Sequence, residues 1–282
     1  MPQISKQTNK PAPKPNGQGV LDRIAPLQAR TDGIKFSVYG RSKSGKTRFA
    51  ATFPKPMLLI GFEDGTKSIA TVKGIDFVRI RSSSEMDDVT RLLAQSGKYK
   101  SAGVDTATAM RDLSLMEILG LHEMPVQKSW GLATRDQYGQ AAMQVKERLR
   151  SLFNLSEHPD IRLNVVVIAQ EQNYAEESKV DADLIMPSIG SALGSRLADW
   201  LNTAVDYIGH TYIREQTAKT TQKVGNKEVA MSQATGKKEY CLRIGPDPVY
   251  MTGFRLPPGA KELPDSLVNP TFEQVAQLIK GI

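Results

Sequence analysis

Eight residues constrain this chain more than any others. Gly40-Arg41-Ser42-Lys43-Ser44-Gly45-Lys46-Thr47 spells G-x-x-x-x-G-K-T, between an apolar run from Ile34 to Tyr39 and a helical segment from Lys46 to Phe53. A strand, a glycine-framed loop and a helix in that order make a phosphate cradle. The start of a helix offers unpaired N–H groups and a partial positive charge. The glycines let the backbone wrap closely round phosphate oxygens. In such a loop the lysine, here Lys46, reaches the β- and γ-phosphates, and the threonine, here Thr47, holds Mg²⁺. Residues Gly40 to Thr47 are therefore expected to bind a nucleotide, with ATP and Mg²⁺ as the ligands.

The rest of the pattern agrees with an α/β fold. Strands expected at Met57–Phe62, Ile75–Arg81, Tyr99–Asp105 and Leu163–Ala169 alternate with helical stretches at Ser84–Gln95, Ala107–Leu121 and Asp136–Leu155. Strands alternating with helices predict a mainly parallel central sheet flanked by helices. Leu163–Ala169 is apolar enough to be buried on both faces. A polar loop is expected from Glu171 to Gly190, then a helix at Ala192–Leu201 and a strand at Val205–Ile213. Glu239–Ile244 and Val249–Arg255 read as a closing strand pair, an antiparallel C-terminal extension, before a last helix at Thr271–Ile279.

Charge is unevenly spread over the 282 residues, whose net charge is +7. Residues 1–30 carry five basic side chains against Asp22 alone, and their prolines, Gln and Asn predict a disordered basic tail. Residues 214–240 carry six basic side chains against three acids, with Gly225-Asn226 as a turn, and read as an exposed basic hairpin or loop inserted in a 31–282 domain. These two segments account for the whole excess, and basic segments on a neutral body point to a polyanionic partner. One cysteine, Cys241, excludes an internal disulfide, and the apolar runs are too short to cross a bilayer. With no apolar stretch behind the basic start, a cytoplasmic protein without membrane contact is expected.

Three further positions carry the chemistry that a bound triphosphate needs. Asp105 ends an apolar segment and can hold Mg²⁺ together with Thr47, or cap the helix from Ala107. Glu63 closes Met57–Phe62 and points to the crevice at the carboxyl ends of the strands, as a general base for water or as part of a polar turn. Gln170 ends the most buried strand, either touching the γ-phosphate or capping the sheet. Hydrolysis would then rest on Lys46, Glu63 and Gln170. The histidines His122, His158 and His210 are scattered and predict no zinc site.

With these features in place, the chain resembles the RecA-like P-loop ATPases, and among them the phage nucleotide-binding and single-strand annealing proteins. The resemblance rests on the Gly40–Thr47 loop, Leu59-Ile-Gly-Phe-Glu63-Asp-Gly65, Val104-Asp105-Thr106, Trp130 with Asp136-Gln-Tyr138-Gly139, and Val165-Val-Val-Ile-Ala-Gln170. It implies a RecA-like core and ATP-dependent homo-oligomers, rings or filaments, on single-stranded DNA. It also implies two DNA-contacting loops, near Glu123–Arg135 and Glu171–Gly190, with Lys128, Trp130, Arg135 and Lys179 as contacts. Trp130 equally suits a buried anchor of the long helix. The resemblance puts Arg255 at a position that reaches a neighbour's ATP, although the lysine usual two residues earlier is Gly253. The expected function is a DNA-dependent ATPase in phage recombination, annealing or replication. The alternatives are a nucleotide-gated interaction protein that loads or recruits a single-strand-binding protein, and a P-loop small-molecule kinase. The kinase is disfavoured by the lack of an arginine-rich lid.

Overall fold

Val165 to Ala169 are all fully buried, and they sit at the middle of the sheet. The computed structural model describes residues 32–63, 65–121, 133–177, 185–224 and 227–280. The expected tail at residues 1–30 lies outside the described residues. In chain order the elements are β1 (Lys35–Gly40), α1 (Lys46–Ala50), β2 (Met57–Gly61), β3 (Ile75–Arg79), α2 (Glu85–Ser96), β4 (Ser101–Asp105), α3 (Ala107–Leu119) and α4 (Arg135–Glu157). There follow β5 (Asn164–Glu177), β6 (Ile185–Ser191), α5 (Ser195–Ala204), β7 (Tyr207–Val224), β8 (Lys227–Arg243), β9 (Gly253–Phe254), β10 (Ser266–Val268) and α6 (Phe272–Lys280).

The sheet order is β10-β8-β7-β1-β5-β4-β2-β3. From β7 to β3 every neighbouring pair is parallel, while β8 and β10 continue the sheet antiparallel. Alternation along each strand makes a three-layer sandwich. Val165, Val167 and Ala169 of β5 pack with Met110, Leu149 and Leu197 of α3, α4 and α5 on one face. Val166 and Ile168 pack with Phe49 of α1 and Val275 of α6 on the other. Small residues in β4 let its neighbours close in: a methyl on Gly103 would lie 2.6 Å from Met57 Cε.

Several boundaries differ from the sequence expectation. The segment expected as a polar loop, Glu171 to Gly190, instead extends β5 to Glu177 and returns as antiparallel β6. Tyr174 there donates its hydroxyl to Ser191 O at 2.6 Å, so a polar strand is pinned by local bonds rather than by apolar burial. Val249–Arg255 does not pair with Glu239–Ile244. Only Gly253–Phe254 is strand, and it pairs with Tyr207–Ile208, while the backbone round Tyr250 bonds Ile189 of β6. The strand beside β8 is β10, which the sequence reading missed. Residues 214–240 lie within the long β7–β8 hairpin. Ser84 makes no capping bond for α2, whereas Gly97 does end it in the left-handed region, at φ 55°. Thr134 and Gln137 close a reciprocal capping box at the start of α4, one residue before the expected helix start.

Candidate nucleotide-binding site

The glycine loop leaves the carboxyl end of β1, between β5 and β7. Gly40 lies opposite Gln170 on one side and Thr211 on the other. A Cβ on Gly40 would lie 2.4 Å from Thr211 O, so only glycine fits there. Gly45 precedes α1 with φ 99°, a conformation that side-chain-bearing residues rarely adopt. Ser44 fastens the loop: its Oγ bonds Arg41 O at 2.8 Å and pairs with Thr211 Oγ1 at 2.6 Å. Ser42 and Lys43 stand at the exposed crest.

Lys46 is the buried centre of the loop, 6% exposed. Its Nζ donates to Gly40 O at 2.7 Å, Arg41 O at 2.6 Å and Gln170 Oε1 at 3.1 Å. Among the described residues no carboxylate lies within ion-pair distance of it. Burial lowers its ammonium to about 8, and Asp105, Glu171 and Glu63 offset that only in part. A buried cation held only by neutral oxygens is an incomplete arrangement that an anion completes. The loop round Lys46 thus fits a phosphate group.

Thr47 turns the other way and donates to Asp105 Oδ2 at 2.9 Å. Burial pushes the Asp105 carboxyl up, against the Thr47 bond, and the nearby Glu63 charge adds to the rise. A hydroxyl and a buried carboxylate in contact suit a hard divalent cation such as Mg²⁺. When bound, that cation would neutralise charge on the phosphates, with Thr47 and Asp105 as its protein partners. The cap alternative for Asp105 does not apply, because Thr106 Oγ1 caps α3 by accepting from Ala109 N. Thr106 also donates to Glu63 Oε1 at 2.9 Å, which holds the Glu63 carboxylate at the mouth of the same crevice. Lys46, Thr47, Asp105 and Glu63 thus fall at the carboxyl ends of β1, β4 and β2, with Gln170 at the level of Gly40 on the intervening β5.

Sequence reasoning missed one member of this region. Arg41 is 86% exposed at its side chain, and its Nε donates to Glu171 Oε1 at 2.9 Å. The other Glu171 oxygen is 3.0 Å from Nε2 of buried His210. Burial works to raise the Glu171 carboxyl, but the bonds from His210 and Arg41 outweigh it and hold it below the usual range. The available signal was position: Glu171 directly follows Gln170.

The remaining expected residues lie elsewhere. Arg255 pairs with Asp206 at 2.9 Å and donates to Thr203 O. Asp206 N–H bonds Lys35 O, so Arg255 sits at the amino end of β1, roughly 17 Å along the strand from Gly40. It is not part of the cluster round Lys46. Arg135 opens α4. Lys128, Trp130 and Lys179 lie outside the described residues.

A parallel sheet, a glycine loop leading into a helix, and an acidic residue ending the strand two places away define a P-loop nucleoside triphosphatase core. A family model described as an AAA domain matches residues 32–238, and the chain belongs to that family. No curated protein matches it. Membership makes nucleotide binding and hydrolysis the activity of this class, with Mg²⁺ as the usual companion ion. Among the described residues no helix is long and apolar enough to cross a membrane.

Proposed function

We propose that this protein is a RecA-like ATPase of the phage annealing and recombination type. In this reading it works as a homo-oligomer on single-stranded DNA in the cytoplasm of a bacterial host. The observation that carries the DNA part is a groove of about 1010 Å³ between α4, α5 and the start of the β5–β6 hairpin. Among the described residues its lining holds Arg111, Arg135, Lys146 and Arg196 against Asp136 as the one acid. Tyr138 and Met143 stand exposed in it, at 51% and 66%. Cations that track a backbone beside a ring that can stack a base are what a single strand requires. Arg135 sits in the first turn of α4, where the helix dipole disfavours a cation by about 0.3–1 kcal/mol. A charge kept at an unfavourable place supports a functional reason for it.

Hydrolysis follows from the arrangement at the strand ends. Lys46 holds the β- and γ-phosphates. Glu63 takes a proton from water, the water oxygen bonds the γ-phosphorus, and the bond to the ADP oxygen breaks. Gln170 lies beside Lys46 at the last position where β5 pairs with β1, and β5 continues to Gln172 in the groove. Arg255, facing away from its own loop, would serve a neighbouring subunit's nucleotide.

The test is ATP turnover with and without single-stranded DNA at two salt concentrations. Stimulation by DNA that is lost in Lys46→Ala and Glu63→Gln supports the proposal. ATP binding with no turnover and no response to DNA refutes it, and leaves a nucleotide-gated interaction protein, such as a recruiter of a single-strand-binding protein.

A further inference from the structure

We infer that the groove between α4, α5 and the root of the β5–β6 hairpin docks the acidic end of that hairpin from a second copy of this chain when no DNA is bound, and that single-stranded DNA displaces it. The displacement rests on the DNA reading of the groove; the docking does not. Charge carries the inference. Residues 176–184 hold Glu176, Glu177, Asp181 and Asp183 against Lys179, a balance of −3. So acidic a run repels phosphates and is a poor DNA contact. In the groove Arg135, Lys146 and Arg196 have no carboxylate partner among the described residues, whereas Arg111 pairs with Asp112 at 2.8 Å. Opposite charges on two parts of one chain attract each other between copies.

Apolar surface matches as well. Val180, Ala182 and Leu184 alternate in the sequence with Asp181 and Asp183. The groove supplies Tyr138 and Met143, both open to solvent, for such side chains to cover. Its volume of about 1010 Å³ is that of the largest small-molecule sites, which leaves room for a chain segment. Reach decides which copy supplies that segment. The hairpin ladder runs from the Glu171–Ser191 pair to the Glu177–Ile185 pair, about 20 Å at the rise of a strand. Among the described residues only Gln172, at its root, lines the groove, so the ladder leads away from the groove of its own chain. A protrusion on one copy and a groove on the next make a head-to-tail contact, which closes into a ring or runs on as a filament.

The test uses the full chain and follows its association by sedimentation velocity, without DNA or nucleotide. Asp181→Asn with Asp183→Asn should weaken association at least about tenfold, and so should Lys146→Glu with Arg196→Glu. Joining Lys146→Glu and Arg196→Glu to Asp181→Lys and Asp183→Lys should restore it, which a folding defect cannot do. Displacement is read by mixing a copy carrying Ala182→Cys with one carrying Met143→Cys, since Cys241 is buried. A bismaleimide should link the two, and single-stranded DNA should suppress the link at least about fivefold. A wild type that stays monomeric, association that ignores the Asp181 and Asp183 changes, or a charge swap without rescue overturns the docking. A link that persists with DNA bound overturns the displacement. If the swap rescues association but wild type binds no DNA, the DNA proposal fails while the docking stands.

Discussion

The buried ammonium of Lys46 makes stability depend on pH in a way that can be calculated. In the folded chain its affinity for a proton is lowered from 10.5 to about 8. Each tenfold change in proton affinity corresponds to about 1.36 kcal/mol, so the charged form is disfavoured by folding by about 3 kcal/mol. Below pH 8 Lys46 is protonated in both states and the whole penalty applies. Between pH 8 and 10.5 the unfolded chain keeps the proton and the folded chain releases it, so stability rises with pH. Lys46→Met removes the titration. Its exposed relatives titrate equally in both proteins and cancel in the difference. Urea denaturation without nucleotide, repeated from pH 7 to 10, should show wild type gaining about 2–3 kcal/mol on Lys46→Met, nearly all of it above pH 8. A flat difference across that range would mean that Lys46 is not a desolvated, unpaired cation. The loop would then hold no buried cation for a phosphate to complete.

Three further outcomes are expected. Glu63→Gln should lower the hydrolysis rate at least about 100-fold while changing ATP affinity by less than about twofold, in steady-state and binding assays. Arg135→Ala should weaken single-stranded DNA binding and lower the slope of log affinity against log salt by about one, measured by fluorescence anisotropy. Thr134→Ala removes one half of the capping box of α4 and should destabilise the fold by about 1 kcal/mol in urea denaturation, with ATP binding unchanged.

The nucleotide site was legible because its parts are local. The loop of residues 40–47 carries its own context, a strand before and a helix after, and Asp105, Glu63 and Gln170 each follow a segment that reads as a strand. Parallel strands bring their carboxyl ends to one edge, so end-of-strand residues far apart in sequence meet there. What stayed hidden depends on pairing between distant segments. The β5–β6 hairpin is polar and held by its own ladder, so it lacks the apolar signal that marks a strand. β10 has three residues, too few for any period to show. Tyr240 was read only as part of a strand edge; its place beside Gly45 follows from β8 lying across β7 from the loop.

Gln170 and Glu171 make the deepest of these hidden links. Consecutive strand residues face opposite sides of a sheet. Gln170 therefore turns to the α1 face and reaches Lys46, while Glu171 turns to the other face, towards His210 and its stacked neighbour Tyr250. Glu171 nevertheless also holds Arg41, the second residue of the glycine loop. Two successive side chains of one strand thus grip the loop at two of its cations, and that same strand runs on to Gln172 in the basic groove. An anion bound by Lys46 competes with Gln170 for the ammonium. One that draws in Arg41 competes with Glu171. Either way the exchange acts on the middle of β5, the element that runs from Lys46 to the groove.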